Sequence, residues 1–266
     1  MKTHFHLALK RFLIEAFSSP ALQPHAVVEK LSKSIRRPCG KNVREEISKI
    51  LSFRSIDRIV HFTPLNNVRQ VMQFGLIPRE YLELEVVRLA LGPTFPDELR
   101  LDTTPHYNCL SLTHPNYKMF FAKRRASHST RWAVLEFSSD ILLKLWSECC
   151  PTNSASGAPV LEGAIGMQSM FIFQNLREEL RLSTNMTTDP QAEVLCDSAL
   201  SASEVKHVWV EHESDLAYLA NQGIHAELDT KLFGPRHDFK FWSTRRITDL
   251  PEFSMELDQL RGMNRG

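Results

Sequence analysis

Apolar and polar residues alternate along several short stretches of this chain, a pattern that predicts half-buried strands. The clearest such stretches are residues 59–63, 108–113, 132–137, 192–196 and 205–211. A last strand is predicted over residues 237–242. Apolar residues at helical spacing predict helices over residues 65–74, 79–91, 116–121, 141–146, 167–179 and 214–221. Short strands and helices in mixed order predict an α+β fold around a split, mainly antiparallel β-sheet with flanking helices.

The two ends and the loops differ from this central pattern. Residues 1–52 predict two or three amphipathic helices, so residues 1–54 form an expected helical extension before a domain over 55–245. The tail over 246–266 is expected to be polar and frayed from Thr244 onward. Loops are predicted over 92–107 and 151–166, and the first is long enough to serve as a lid or binding loop. Gly75 is placed for a left-handed helix cap, with Leu76 as its apolar contact.

Charge is spread unevenly along the 266 residues, although the net charge is only +1. Residues 1–54 contain eleven Lys and Arg against four Asp and Glu, a local charge of +7 that leaves −6 for the remainder. A basic extension can steer a protein toward nucleic acid or an acidic partner. It can equally be the solvated face of a helix. The hydrophobic content of 42% is sufficient for a sizeable core.

The cysteines and the absence of long apolar runs indicate the compartment. Five cysteines, an odd number without a C-x-x-C pair, favour reduced thiols in a cytoplasm over a disulfide scaffold or a zinc site. No apolar run approaches the ~20 residues of a membrane span. Lys10 and Arg11 interrupt the first apolar stretch, which therefore makes a poor signal peptide. We expect a cytoplasmic protein without a membrane or metal partner.

Three polar clusters lie on strands or at their ends, and these are the candidates for chemistry. They are His61 with Thr63, the segment 116–118, and Glu193. Strand alternation places Glu193 on the face opposite Ala192 and Val194. Taken singly, a strand glutamate usually faces water and a strand histidine is usually packed or solvated. Glycine-rich nucleotide loops, the zinc-protease helix and the hydrolase nucleophile elbow are all missing from the sequence.

The clusters gain meaning together, because their order along the chain resembles that of the DarT family. These toxins attach ADP-ribose from NAD to DNA bases. The similarity spans roughly residues 56–212 and is most specific in the segments N-Y-K-M-F and D-P-Q-A-E-V. The matching segments are His61-Phe62-Thr63, Asn67, Gly75-Leu76, Leu110 to Phe120, Trp132 to Leu135, Thr152 to Ala155 and Thr188 to Leu195.

The resemblance implies an ADP-ribosyltransferase-like split sheet with NAD, the co-substrate, in the cleft between its halves. Glu193 would be the catalytic carboxylate, stabilising the cationic ribose and accepting the proton of the attacking group. Lys118 would hold the diphosphate as the second catalytic residue. Another branch of the family uses an arginine in this region, and lysine is only a point charge, so Arg124 and Arg125 are alternatives. The implied NAD-binding residues are His61, Thr63, Asn67 and Gly75, with Tyr117 or Phe121 packed on nicotinamide.

The expected acceptor is a base of a single-stranded nucleic acid, because unstacked bases are accessible there. Lys123, Arg124, Arg125 and Arg131 are the expected phosphate-binding residues. The resemblance favours guanine, leaves DNA and mRNA open, and implies a toxin–antitoxin or phage-defence role with a cognate antitoxin protein. We also expect the turn over 187–191 to help present the acceptor. The alternatives are an NAD-dependent RNA 2′-phosphotransferase and a catalytically inert nucleotide-binding module.

Overall fold

The computed structural model describes residues 36–83 and 106–263, and the predictions for residues 1–35 and 84–105 lie outside this range. The strands are β1 (Arg58–Pro64), β2 (Asn108–Leu112), β3 (Trp132–Ser138), β4 (Ser147–Cys150), β5 (Leu161–Glu162), β6 (Glu193–Cys196), β7 (Val205–Val210) and β8 (Glu227–Leu228). The α-helices are α1 (Lys41–Arg54), α2 (Val68–Phe74), α3 (Arg79–Leu82), α4 (Tyr117–Ala126), α5 (Ile141–Lys144), α6 (Gly163–Ser169), α7 (Gln174–Glu179), α8 (Glu213–Ala220), α9 (Phe239–Trp242) and α10 (Phe253–Met263).

The strands form one eight-stranded sheet in the order β5-β4-β6-β2-β1-β3-β7-β8. All neighbouring strands are antiparallel except β7 and β8, which are parallel. Strands predicted from alternation recur as β1, β2, β3, β6 and β7. The structure therefore confirms the α+β class and the mainly antiparallel sheet with flanking helices.

Apolar side chains cover both faces of the sheet. On one face, Ile59, Leu135 and Val194 belong to a large core that also includes buried residues of α1, α2, α5 and α6. On the other face, Val60 and Val134 pack with Phe120 of α4, while Cys150 packs with Trp242 of α9. Because neither face is left to solvent, polar groups at the centre of the sheet lie in a low-dielectric environment.

The two halves of the sheet meet at a short ladder between β1 and β2. Only Ile59 with Leu112 and Val60 with Ser111 are paired, whereas β1 pairs with β3 along its whole length. Beyond Val60 the two strands separate. We call the opening between residues 61–64 of β1 and 108–110 of β2 the strand gap. It is the split that the sequence predicted.

Two predicted elements in the middle of the chain are wrong. The helix expected over 167–179 is two helices, α6 and α7, because Phe173 adopts a left-handed conformation with φ of 64° just before α7. The loop expected over 151–166 contains a 3-10 turn over Ser154–Ser156 and strand β5. Strand β4, directly before that loop, was not predicted.

The C-terminal region also differs from its predictions. The strand expected over 237–242 is wrong, since this segment contains helix α9. The tail expected to be polar and frayed from Thr244 instead forms a 3-10 turn over Ile247–Asp249 and helix α10. Ile247, Phe253 and Leu257 are buried against Trp242 in one apolar cluster. This packing covers the sheet face on which Glu193 lies.

Candidate active site

Glu193 opens strand β6 and is buried, with 3% of its surface exposed. Ala192 and Val194 join the large core on one face, and Glu193 pairs with Cys150, whose side chain belongs to the other face. The predicted alternation around Glu193 is therefore confirmed. The expectation for a lone strand glutamate, that it faces water, does not apply here.

The Glu193 carboxylate is held by the turn over Ser154–Ser156. The Ser154 N–H donates to Oε2 at 2.9 Å, and the Asn153 Nδ2 donates to Oε1 at 3.3 Å. Asn153 is itself fixed as the turn's cap, because its Oδ1 accepts from the Ala155 N–H at 2.8 Å. Hydrogen bonds to an ionised group are stronger than neutral ones, so this turn fixes the position of the carboxylate. Asn153 and Ser154 lie in a segment that the family resemblance includes, although no role was assigned to them.

The turn before Glu193 is buried, so the expectation that it presents an acceptor is wrong. Thr187, Thr188 and Asp189 are all buried, the last two with no exposed surface. The Arg236 guanidinium donates to both Thr187 O, at 3.0 Å, and Thr188 O, at 3.4 Å. Arg236 also forms a buried ion pair with Asp238. The turn is thus held from the C-terminal region rather than being open to solvent.

Asp189 is a second buried carboxylate near Glu193 that sequence reasoning missed. Its Oδ1 accepts from the Gln191 N–H at 2.7 Å, and its Oδ2 has no hydrogen-bond partner in the part of the chain described. Burial raises the pKa of Asp189, while hydrogen bonds and the charges of Lys118 and Arg236 act in the opposite direction. An aspartate in this turn gives no sequence signal of burial, because Asp is common in exposed turns.

Helix α4 starts beside this buried region. The Asn116 side chain caps the helix by accepting from the Met119 N–H at 3.1 Å, and the Asn116 N–H donates to Ser111 Oγ on β2. Tyr117 is buried, and its hydroxyl has no partner within residues 36–83 and 106–263. Burial raises the pKa of Tyr117, with Asp238 and Asp189 adding to the rise and Arg236 opposing it. Tyr117 therefore presents a neutral hydroxyl, with an unsatisfied hydrogen-bonding group, near two carboxylates.

Lys118 connects helix α4 to the C-terminal region. Its Nζ donates to Trp242 O at 2.9 Å and to Arg245 O at 3.4 Å. Its charge also acts on Asp189. The structure thus places the expected catalytic cation next to the buried turn, with its ammonium bound to main-chain carbonyls.

His61 and Thr63 line the strand gap. The His61 Nδ1 lies 2.9 Å from Cys109 O, and Asn67 Nδ2 donates to Thr63 Oγ1 at 3.3 Å. Alternation assigns His61 and Thr63 to the face of Ile59, whereas Glu193 lies on the face of Val60. A ligand that contacts His61 and Glu193 together must therefore occupy the gap.

The main chain of β1 also faces this gap. Arg58 O accepts from the Thr113 N–H on the β2 side, whereas the Leu65 N–H donates to Arg131 O on the β3 side. Because main-chain groups alternate along a strand, Phe62 directs its N–H and C=O toward β2. Beyond Val60 the β1–β2 ladder has ended. The gap therefore offers a strand-like donor and acceptor to a planar amide.

Gly75 is explained by a close main-chain approach to Leu200. Its φ is 87° and its ψ is 172°, a conformation outside the left-handed helical region that the sequence predicted. A Cβ at this position would lie 2.3 Å from Leu200 O. Leu76 and Leu200 form a β-bridge at the same point. The contact of Gly75 with NAD stays a prediction of the family resemblance.

The predicted phosphate-binding cations have different surroundings in the structure. Arg124 forms an ion pair with Glu211, and Arg131 forms one with Asp215. Lys123 is half-buried on helix α4. Arg125 is exposed, and its guanidinium lies 5.7 Å from the ring of Phe121, which is 60% exposed. This exposure places Phe121 at the surface, whereas Tyr117 is the aromatic residue near the buried carboxylates.

The described parts of the chain lack two features, a cluster of metal-binding side chains and a membrane-spanning helix. Across residues 36–83 and 106–263, no set of three or more His, Cys, Asp or Glu side chains could hold a metal ion. None of the helices in these ranges is long and apolar enough to cross a membrane.

Comparisons with known proteins give matches to solved structures. No protein-family model matches the chain, and no curated protein matches it. Thermus sp. 2.9 DarT in complex with NAD+ aligns at a TM-score of 0.46 and 13% identity, over 67% of this chain and 98% of that one. The same DarT in complex with ADP-ribosylated ssDNA aligns at 0.46 and 11%, over 68% and 97%.

A further match is Thermosipho africanus DarTG in complex with ADP-ribose, at a TM-score of 0.45 and 11% identity. It covers 66% of this chain and 51% of that chain, so this protein spans about half the length of DarTG. These matches are structures of DarT or DarTG, the family whose motifs the sequence resembles.

Proposed function

We propose that this protein is an NAD-dependent ADP-ribosyltransferase that modifies a base of a single-stranded nucleic acid. The observation that carries the proposal is the buried Glu193 carboxylate, which the Asn153–Ser154 turn holds on a sheet that is open at His61. A fixed, desolvated carboxylate beside an opening of this kind suits a reaction that passes through a cation. The resemblance of the motif order to the DarT family indicates ADP-ribose transfer as that reaction.

The residues around the strand gap fit NAD as the substrate. The main chain of Phe62 offers a donor and an acceptor that suit the carboxamide of nicotinamide. His61 and Thr63 supply polar side chains for the riboses, and the neutral Tyr117 hydroxyl is an additional hydrogen-bonding group. Lys118 brings positive charge to this side of the molecule for the diphosphate and is the catalytic cation of the proposal.

In the proposed reaction the bond between the nicotinamide nitrogen and the ribose carbon breaks, and its electron pair leaves with nicotinamide. Glu193 stabilises the positive charge that develops on the ribose, because a preorganised carboxylate acts strongly in a desolvated site. A nitrogen of the acceptor base then bonds to the ribose carbon. Its proton passes to Glu193, which acts as the general base.

The acceptor and the biological role form the finer part of the proposal. We favour single-stranded DNA, with mRNA as the alternative, and guanine as the modified base. Modifying bases in a cell's own nucleic acid blocks its copying. The protein would therefore act as the toxin of a toxin–antitoxin or phage-defence system, with a cognate antitoxin protein as its partner.

The test is mass spectrometry of oligonucleotides after incubation with the protein and NAD. Homopolymeric DNA and RNA strands of each base are compared, and guanine-containing DNA is expected to gain one ADP-ribose. Glu193→Gln, which keeps the shape of the side chain, should abolish the adduct and the growth arrest on expression. Glu179→Gln is the matched control, because Glu179 is exposed on α7. ADP-ribose found on the protein and on no strand would refute the proposed acceptor. Adduct formation by Glu193→Gln would refute the proposed site.

A further inference from the structure

A row of half-buried and exposed side chains, aromatic and basic, leaves the candidate active site along helix α4. Lys118, Phe121 and Arg125 are spaced at i, i+3 and i+7, so they share one face of the helix. Phe121 is 60% exposed, and the Arg125 guanidinium lies over its ring at 5.7 Å. With most of its surface exposed, this ring contributes little to the core.

The same row continues into the C-terminal region. Lys118 Nζ binds Trp242 O at 2.9 Å and Arg245 O at 3.4 Å, which places the turn after α9 against the start of α4. In that turn the Arg245 guanidinium lies 4.5 Å from the ring centre of Phe241. Two stacked arginine–phenylalanine pairs therefore flank Lys118. We call Lys118, Phe121, Arg125, Phe241 and Arg245 the aromatic–arginine strip.

The two arginines of the strip differ from neighbouring arginines in their ion pairing. Arg124, Arg131 and Arg246 each form an ion pair with a carboxylate. Arg125 and Arg245 form none with any carboxylate of residues 36–83 and 106–263. Guanidinium groups held over rings, with no carboxylate to neutralise them, suit a polyanion that also has flat groups to stack.

We infer that the aromatic–arginine strip binds the single strand whose base is modified, an inference that rests on the proposed function. Phosphates of the strand meet Arg125 and Arg245, and its bases stack on Phe121 and Phe241. The strip begins at Lys118, whose charge reaches the turn before Glu193. A strand lying on it therefore has a base at the site. The strip keeps Arg125 from the predicted phosphate-binding set, whose other members are Lys123, Arg124 and Arg131. Arg124 and Arg131 are held in ion pairs.

The test measures the affinity of a fluorescently labelled 12-nucleotide DNA strand by anisotropy, without NAD. Phe121→Ala is expected to weaken binding by between about 5-fold and about 150-fold, the usual effect of losing one stacked base. Arg125→Ala is expected to lower the slope of log affinity against log salt by about 0.7, the value for one phosphate contact with a single strand. Both changes should matter less for a duplex of the same sequence, whose bases are already stacked.

Phe53→Ala is the matched control, since Phe53 on α1 is 80% exposed and lies 5.9 Å from the Arg54 guanidinium. Its affinity is expected to equal that of the unaltered protein. If Phe121→Ala and Arg125→Ala bind the strand as tightly as the control does, the proposed role of the strip is refuted. It is also refuted if the strip binds a protein and no nucleic-acid strand. Circular dichroism verifies folding of each variant.

Because the titration contains no NAD, its result is independent of catalysis. A strip that binds the strand while the unaltered protein forms no adduct refutes the proposed function alone. If the unaltered protein forms the adduct and the strip variants bind the strand normally, the role of the strip alone is refuted.

Discussion

Replacing Asn153 by Asp would test whether the turn that holds Glu193 controls its activity. The two side chains have the same shape, and both can cap a turn. The cap bond from the Ala155 N–H, at 2.8 Å, is therefore retained. What changes is the group facing Glu193 Oε1 at 3.3 Å, which becomes a carboxylate oxygen instead of an N–H donor.

The structure sets the size of this effect. Losing a hydrogen bond to a charged group costs about 1.5–3 kcal/mol. Two negative charges 3.3 Å apart repel by about 5 kcal/mol at an effective dielectric constant of about 20. Asn153 is only half-buried, so solvent reduces the second contribution. We expect the free energy of unfolding to fall by at least about 2 kcal/mol, and kcat/KM to fall by at least about 30-fold.

The assay combines urea unfolding with nicotinamide release and adduct formation. Asp229→Asn is the matched control, because Asp229 caps another 3-10 turn by accepting from the Lys231 N–H. It should change stability by less than about 0.5 kcal/mol. The double variant Asn153→Asp with Glu193→Gln restores a donor–acceptor pair with the roles exchanged.

We expect the double variant to recover most of the lost stability and none of the activity. A purely packing role for Asn153 would not give this separation. Asn153→Asp with the stability and the kcat/KM of the unaltered protein would refute the reasoning.

Three further predictions concern stability. Gly75→Ala should lower the free energy of unfolding by at least about 3 kcal/mol, because its Cβ would meet Leu200 O at 2.3 Å; a smaller loss in urea unfolding would mean that the main chain shifts easily. Arg236→Met should cost about 3–5 kcal/mol by leaving Asp238 buried and unpaired, and equal thermal midpoints would contradict this. Burial lowers the pKa of His114, so the unfolded chain binds more protons than the folded one as the pH drops below about 6.5, and the free energy of unfolding should decrease as the pH drops. His114→Gln should remove this decrease from unfolding titrations at a series of pH values.

The strands were predictable where alternation and burial agree, and β4 shows where they do not. All four residues of Ser147–Cys150 are buried, although two of them are polar. Glu148 accepts from the Tyr107 hydroxyl at 2.6 Å, a partner 41 residues earlier. Because the group that satisfies Glu148 is distant in the chain, the pattern of the segment itself does not indicate a buried strand.

The same reason explains the errors at the C-terminus. Trp242 reads as a strand residue, but its Nε1 donates to Asp238 Oδ2 one helical turn earlier, and Arg236 binds the same carboxylate. The carboxylates that hold Arg124 and Arg131 lie 87 and 84 residues away, at Glu211 and Asp215. Local spacing could identify these cations as basic residues but could not show that their charge is already neutralised.

The bonds from Arg236 to Thr187 and Thr188 also order events during synthesis. The ribosome makes Glu193 first and then needs 43 more residues, from 193 to 236, to make the arginine that secures the turn before it. At about 5–20 residues per second this interval lasts about 2–9 s. During that time the carboxylate strand exists while its turn still lacks the guanidinium that holds it. A nascent chain therefore carries the Glu193 carboxylate well before it carries the arginine that holds the turn beside it.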